Sequence, residues 1–261
     1  MSSQQANEGQ PGSDGEALGE QADRRQSRRG RLRNLGVAAA IAAVVVVVLV
    51  VVSQQGGEEP AQRSGGGGLV GVAETRTTFA GIPQDGTTLG DPEAPMVLTE
   101  FIDLQCFSCR QAAIQVLPGV IETYVRTGRL RLELRTLTFI GPDSVRAAKA
   151  AHAAATRDLM WNFTELWFLN QGEEGSGYAT NPFVAAIAQG TGVDPELVFE
   201  GIKSPALQIP LQEAERQARA ASVQSTPTFL LGRRPGRGKP IVSRQLTFES
   251  FQEALEPKLR R

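Results

Sequence analysis

Cysteine and histidine are almost missing from this chain of 261 residues, which has two cysteines and a single histidine, His152. Two cysteines exclude a disulfide-stapled scaffold. Tetrahedral zinc normally needs at least three clustered Cys, His or carboxylate ligands. A net charge of -1 argues against a nucleic-acid partner. The composition therefore predicts no metal site, no cofactor and no nucleic-acid binding.

Large apolar side chains are almost missing from residues 1–34. Such a segment cannot bury enough surface to offset the entropy lost on ordering, so we predict a disordered tail. Its last third contains an arginine cluster. The members of this cluster are Arg24, Arg25, Arg28, Arg29, Arg31 and Arg33.

Polar side chains are missing from residues 35–52. A helix of this length spans roughly 27 Å, close to the hydrocarbon thickness of a bilayer. The arginines before it orient the N-terminus towards the cytoplasm. We predict a transmembrane anchor over 35–52, a flexible tether over 53–68 and a folded domain over 69–261 outside the cytoplasm.

Two other interpretations of the apolar run are less consistent with the sequence. A cleaved signal peptide would have a shorter apolar core and a small-x-small site soon after Val52. A buried helix of a soluble protein would not carry an adjacent arginine cluster and a run without a polar face.

A strand, a helix and a second strand follow one another in the first half of the predicted domain. Residues 96–104 are nearly all apolar, as in a central strand covered on both faces. Apolar residues recur at helical spacing over 106–127, with a kink expected at Pro118 and an end at Gly128. Alternation over 130–137 predicts a strand, and this order favours a parallel pair.

The remaining segments predict further elements around this unit. Residues 69–90 could add a strand or hairpin at the edge. Residues 142–222 form a mainly helical insertion. Short apolar strands follow at 228–231 and 241–242, and a last helix starts at the cap Thr247 and ends before Pro257.

Cys106 and Cys109 lie where the buried strand meets the helix. At a helix N-terminus, unpaired N–H groups and the macrodipole favour an anion, so a cysteine there reacts as a thiolate. Cys106 would be the attacked or attacking sulfur, and Cys109, one turn further in, the more buried partner. An inert structural disulfide is the alternative, but it would close a very short loop and stabilise little.

Several motifs together resemble the DsbA-like branch of the thioredoxin superfamily over roughly residues 88–256. They are Leu89–Pro95, Glu100–Cys106, Leu117–Pro118, Tyr124–Gly128, Asp158–Trp161, Asn170–Gln171 and Thr226–Phe229. The resemblance implies an α/β, thioredoxin-like fold with a helical insertion, here preceded by the single transmembrane helix.

The resemblance also implies roles for individual residues. Pro227 would follow a cis peptide bond and face the sulfurs, and Thr226 would pair with an extended substrate. An ordinary trans turn is the alternative. Glu100 matches a buried acid that moves protons to and from Cys109. Its alternative is a solvent-facing side chain at the strand edge, and Asp103 is the rival for its role.

Phe107–Ser108, between the two cysteines, departs from the proline and the histidine or tyrosine found in many relatives. Ser108 can donate a hydrogen bond to the Cys106 thiolate but brings no positive charge. This dipeptide helps to set the redox potential, which spans about -120 to about -270 mV within this fold.

The leading hypothesis is an extracytoplasmic thiol–disulfide oxidase that forms disulfides in exported proteins with cysteine thiols. The resemblance implies a membrane, quinone-linked partner that reoxidises it. A reductase or isomerase of the same fold is the alternative. A membrane-tethered binding module without catalytic activity is the alternative from another class.

His152 and the aromatic residues of the insertion have simpler interpretations. His152 lies in an alanine-rich stretch and is predicted to be a helix-surface or packing residue. Helical spacing predicts core packing for a set of four aromatic residues, and a peptide-binding patch in which part of the set lines a substrate groove is the alternative. The set is Trp161, Phe163, Trp167 and Phe168.

Overall fold

The structure is a computed structural model that describes residues 68–259. The predicted tail, the predicted anchor and all but the last residue of the predicted tether lie outside the described residues. Across residues 68–259, every helix falls short of the combined length and apolar character needed to cross a membrane.

A mixed sheet forms the centre of the described domain, with six strands between residues 68 and 259 in the order β1-β2-β4-β3-β5-β6. The strands are β1 Gln84–Asp85, β2 Thr88–Leu89, β3 Val97–Ile102, β4 Arg131–Thr136, β5 Thr228–Arg234 and β6 Arg237–Ile241. All residues of β3 are buried. It pairs parallel with β4 and antiparallel with β5, which confirms the predicted central strand and parallel pair.

Helices surround this sheet and supply most of the remaining structure. They are α1 Val72–Phe79, α2 Phe107–Gln115, α3 Leu117–Val120, α4 Pro142–Ala155, α5 Met160–Leu169, α6 Asn181–Thr191, α7 Pro195–Lys203, α8 Gln208–Ala220 and α9 Phe248–Leu259. Helices α4 to α8 form the predicted helical insertion. The sequence did not indicate α1, whereas the β1–β2 hairpin, which turns at Gly86 and Thr87, lies in the segment where a strand or hairpin was predicted.

The helical segment after β3 is interrupted where the sequence predicts. α2 ends at Gln115, Val116 has φ -111°, and α3 begins at Leu117. Pro118 lies in the first turn of α3, where a missing N–H costs no internal hydrogen bond. A π-helical turn over Ile121–Val125 follows, and Gly128, at φ +68°, ends the segment.

Two details at the C-terminal end differ from the predictions. β5 and β6 extend into residues 232–240, which separate the two predicted strands, and only Pro235 and Gly236 lie between them. α9 continues through Pro257 to Leu259. Pro257 lies in the last turn, so its missing N–H removes only one backbone hydrogen bond of the helix.

The insertion packs its aromatic residues into the main core. The four aromatic side chains of α5 are all buried, which confirms the core-packing prediction. His152 is buried as well, and its Nε2 lies 3.1 Å from Thr136 Oγ1. Burial lowers the pKa of His152 to about 4, with a further contribution from the charge of Arg135. It is therefore a packing residue and not a helix-surface residue.

Candidate active site

Cys106 caps the N-terminus of α2 at the carboxyl end of β3. The strand ends at Ile102, and the cap has extended backbone geometry, with φ -69° and ψ 122°. Cys106 is 9% exposed, whereas Cys109 is fully buried one helical turn later. The structure therefore places the two sulfurs as predicted, with the more accessible one at the helix end.

The surroundings of Cys106 favour its thiolate. The pKa of Cys106 is lowered to about 6, chiefly by a hydrogen bond from the Cys109 thiol. The Thr226 side chain and the backbone N–H groups of Cys109 and Ser108 add to this effect, and partial burial opposes it. Ser108 thus acts on the thiolate through its backbone, where the sequence had suggested its hydroxyl.

Cys109 has the opposite tendency. Burial raises the pKa of Cys109 well above its ordinary value, and the neighbouring Cys106 raises it further. Near neutral pH the reduced pair therefore holds one thiolate on Cys106 and one proton on Cys109. That division is suited to nucleophilic attack by the outer sulfur and to proton transfer at the inner one.

The loop before β5 lies against the sulfurs. The peptide bond between Thr226 and Pro227 is cis, so the cis prediction is confirmed and the ordinary trans turn is wrong. The Cys106 thiol donates to the Thr226 carbonyl oxygen across 3.4 Å. Thr226 and Pro227 are both partly exposed, which leaves the loop open to an approaching chain.

The helical insertion holds the backbone on which Cys106 sits. The Leu104 carbonyl oxygen accepts hydrogen bonds from Trp167 Nε1 at 3.0 Å, Gln171 Nε2 at 2.9 Å and Tyr178 Oη at 3.1 Å. Gln171 Nε2 also donates to the Cys106 carbonyl oxygen at 3.3 Å. These bonds fix the connection between β3 and α2 relative to the insertion.

A loop after α5 reaches the first turn of α2. The backbone N–H of Phe107 donates to Glu174 Oε1 at 2.7 Å. The backbone N–H of Gly175 donates to Gln105 Oε1 at 2.8 Å, so the loop is fixed on both sides of Cys106. The Phe107 side chain is 54% exposed next to the sulfurs.

Glu100 points into the protein from the centre of β3. It is 2% exposed, so the alternative of a solvent-facing side chain is wrong. Its Oε2 is buried without a hydrogen-bond partner among residues 68–259. Burial raises the pKa of Glu100 to about 8, and the charge of Glu165 adds to the rise. Glu100 is therefore neutral at pH 7 and can donate a proton.

Asp103, the rival for the role of Glu100, accepts backbone hydrogen bonds with both carboxylate oxygens. Its Oδ1 accepts from the Gln105 N–H at 2.9 Å, and its Oδ2 accepts from the N–H groups of Phe139 and Ile140 at 2.8 and 3.2 Å. The carboxylate joins the loops that follow β3 and β4. With both oxygens accepting backbone hydrogen bonds, Asp103 is suited to support the site.

Two acidic residues near the site were missed from the sequence. Glu165 is the one charged residue of the mainly apolar and aromatic α5, and this contrast could have identified it. Glu174 lies in a glycine-containing loop with a second glutamate beside it. Only the folded loop shows which of the two reaches α2.

Comparison with known proteins places these features in a family. The family model described as "Thioredoxin" matches residues 83–257. The chain is 25% identical over 178 residues to a probable disulfide bond formation protein D of Bacillus cereus, covering 67% of this chain and 79% of that protein. It is 22% identical over 175 residues to disulfide bond formation protein D of Bacillus subtilis, covering 66% and 76%.

Solved structures share the fold. Oxidised BdbD from Bacillus subtilis aligns with a TM-score of 0.60 and 21% identity, covering 69% of this chain and 98% of that one. DsbA from Chlamydia trachomatis aligns with a TM-score of 0.55 and 23% identity, covering 67% and 91%. These alignments confirm the predicted thioredoxin-like fold with its helical insertion.

Proposed function

Because this chain belongs to the thioredoxin family, whose model matches its residues 83–257, we propose that it is a thiol–disulfide oxidoreductase that forms disulfides in other proteins. The observation that carries this proposal is the opposite behaviour of the two sulfurs, since the pKa of Cys106 is lowered and that of Cys109 is raised. The relatives named disulfide bond formation protein D support the direction of the reaction.

The reaction proceeds through two exchanges. A substrate thiolate attacks Cys106 Sγ of the oxidised pair, the Cys106–Cys109 bond breaks, and Cys109 leaves as a thiolate that takes up a proton. The second substrate thiolate then attacks the substrate sulfur of the mixed disulfide and releases Cys106 as a thiolate. The substrate loses two electrons and gains a disulfide, and the enzyme is left as a dithiol.

Glu100 supplies the proton that Cys109 needs. Its position supports this role, because Ala113, on the same helical face as Cys109 one turn later, lines the same small cavity as Glu100. A carboxylic acid that is neutral at pH 7 is a suitable general acid for a buried thiolate. Asp103 holds the surrounding loops.

Thr226 and Pro227 form the surface that receives the substrate. An extended substrate segment would pair its backbone with Thr226 as an added strand, which would bring its cysteine to Cys106. The exposed ring of Phe107 offers an apolar contact beside the sulfur. With Ser108, it adjusts the stability of the Cys106 thiolate and hence the redox potential.

The protein acts outside the cytoplasm, tethered to the membrane by residues 35–52. The apolar run and the preceding arginines of the sequence support this placement. The substrates are then exported proteins with free cysteines. A membrane-bound oxidant of the quinone-linked kind reoxidises the Cys106–Cys109 pair, as the family resemblance implies.

The proposal is tested by trapping with Cys109→Ala in the full-length protein. Without Cys109, no thiol of this protein can resolve a mixed disulfide at Cys106. Exported proteins should therefore accumulate on Cys106 and be released by reductant. Cys106→Ala/Cys109→Ala is the matched control. A non-catalytic binding module would give the same low yield for both variants and would exclude the proposed activity.

A further inference from the structure

A small cavity lies one helical turn below Cys109. It has a volume of about 10 Å³, roughly the smallest space that holds one water molecule. Apolar side chains form most of its wall, among them Ala113 and Leu117. Three polar side chains also reach it: Glu100 from β3, and Thr164 and Glu165 from α5.

Two of these polar groups lack the hydrogen bonds that are normal in a protein interior. Glu100 Oε2 and Thr164 Oγ1 are buried, and neither has a hydrogen-bond partner in the part of the chain that the structure describes. Glu100 is 2% exposed, Thr164 5% and Glu165 8%. Buried polar atoms are normally paired, so two unpaired ones at the same cavity require an explanation.

We propose that Glu165 is a second proton carrier of the active site, exchanging protons with Glu100 across this cavity and connecting Cys109 to solvent on the α1 side. The proposal rests on the proposed function, because it concerns the proton that Cys109 takes up when its disulfide breaks. Glu100 gives its proton directly to the Cys109 sulfur. Glu165 is a positioning residue, because it acts on the sulfur only through Glu100.

Protons pass from Glu165 to Glu100 and from Glu100 to Cys109. Cys109 leaves as a thiolate and takes the proton of neutral Glu100, which becomes a carboxylate. Neutral Glu165 then gives its proton to Glu100 and is reprotonated from water. Glu165 is the outermost of the three, since α5 packs against α1 and the exposed Glu74 lies close enough to influence it electrostatically. Reoxidation runs the transfer in reverse.

The electrostatics of the two glutamates agree with this arrangement. Burial raises the pKa of Glu165 to about 8, and the charge of Glu74 raises it further. The pKa of Glu100 is raised to about 8 by burial and, to a smaller extent, by the charge of Glu165. Two neighbouring acids with similar proton affinities can exchange a proton at little cost in either direction.

The other elements around the cavity contribute apolar side chains. β4 presents Leu134, α2 presents Ala113 and α3 presents Leu117. On β4 the charged Glu133 and Arg135 alternate with Leu134 and point to the opposite face of the sheet. Two further buried titratable groups have partners elsewhere. His152 contacts Thr136 and is neutral above about pH 4, and Asp103 accepts backbone hydrogen bonds from the loops after β3 and β4.

The test uses the full-length oxidised protein, in which neither cysteine titrates. Its single-turnover reduction by dithiothreitol is measured from pH 5 to 10 by acid quench and mass spectrometry, and each rate is divided by the thiolate fraction of the reductant. In the wild type, the corrected rate should fall as Glu100 and Glu165 lose their protons. Glu100→Gln should lose this fall.

The Glu165→Gln variant tests the role of Glu165 itself. Without the neighbouring charge, Glu100 releases its proton more easily, so the fall should move to lower pH by about one unit. Glu133→Gln is the matched control, since it removes a buried glutamate from the opposite face of the sheet, and its profile should coincide with that of the wild type.

The outcomes separate this proposal from the proposed function. A Glu165→Gln profile that coincides with the wild type overturns the role of Glu165, even where Glu100→Gln loses the fall and the oxidoreductase activity stands. Should Glu165→Gln fold poorly, the infrared carbonyl band of the wild type gives an independent test. Two carboxylic acids that are still protonated at pH 7 support the pair, and fewer than two overturn it.

Discussion

At the residue scale, burial acts to raise the pKa of Cys106, Cys109 and Glu100 alike, and hydrogen bonding decides whether the net shift is upward or downward. Cys106 accepts several hydrogen bonds as a thiolate, and these outweigh its partial burial, so its pKa falls to about 6. For Cys109 and Glu100, burial dominates and the pKa rises. The site therefore separates a ready nucleophile from two protonated groups within a few residues of sequence.

The raised pKa of Glu100 makes stability depend on pH. The unfolded chain releases this proton near pH 4.5, but the folded protein keeps it until about pH 8, so stability falls as the pH rises between these values. Glu100→Gln removes this dependence. Its free energy of unfolding, relative to the wild type, should increase by roughly 2 to 4 kcal/mol from pH 5 to pH 8.

Urea denaturation of the oxidised proteins at both pH values measures this change. Glu122→Gln, which alters a glutamate whose side chain is 64% exposed, serves as the control and should follow the wild type. Parallel pH profiles for Glu100→Gln and the wild type would show that Glu100 is ionised in the folded protein at neutral pH.

At the scale of elements, the N-terminus of α2 serves two anions. The backbone N–H groups of Ser108 and Cys109 favour the Cys106 thiolate, while the N–H of Phe107 donates to the Glu174 carboxylate. Both negative charges interact with the same helix N-terminus, where the macrodipole stabilises an anion by about 0.3 to 1 kcal/mol. Glu174 therefore opposes formation of the thiolate.

Glu174→Gln should lower the pKa of Cys106 by a few tenths of a pH unit, because the amide keeps an acceptor for Phe107 but removes the charge. The rate of alkylation of Cys106 as a function of pH measures this shift. Glu173→Gln changes the adjacent exposed residue and should leave the pKa unchanged. Equal values for the two variants would mean that the Glu174 charge is fully screened.

The sequence predicted those elements whose pattern is local. The burial of β3, the alternation of β4 and the break near Pro118 all follow from apolar spacing and backbone chemistry. α1 was missed because its segment, Val72–Phe79, is short and largely polar, and its helix depends on packing against α5. The end of α9 was placed too early because proline is tolerated within a last turn.

The site was predicted only where a motif carries it. Cys106, Cys109 and the cis Pro227 were found from the strand–helix junction and the family resemblance. Glu165 and Glu174 were not, because their roles arise from contacts across the insertion that no periodicity encodes. The cavity shared by Glu100 and Glu165 joins residues 65 positions apart and becomes visible only in three dimensions.

At the scale of the whole molecule, the central claim is that this domain withdraws electrons from substrate dithiols. The lowered pKa of Cys106 stabilises the reduced pair, and a more stable reduced form makes a stronger oxidant. The dipeptide Phe107–Ser108 brings no positive charge to this thiolate, so hydrogen bonds supply its stabilisation.

Equilibration of the full-length protein with mixtures of reduced and oxidised glutathione tests the claim most directly. The fraction of reduced Cys106–Cys109 pair is counted by alkylation and mass spectrometry. We expect a reduction potential clearly above that of thioredoxin, about -270 mV, and towards that of the strong oxidants at about -120 mV. A potential at or below that of thioredoxin would contradict disulfide formation and assign the protein to the reductases.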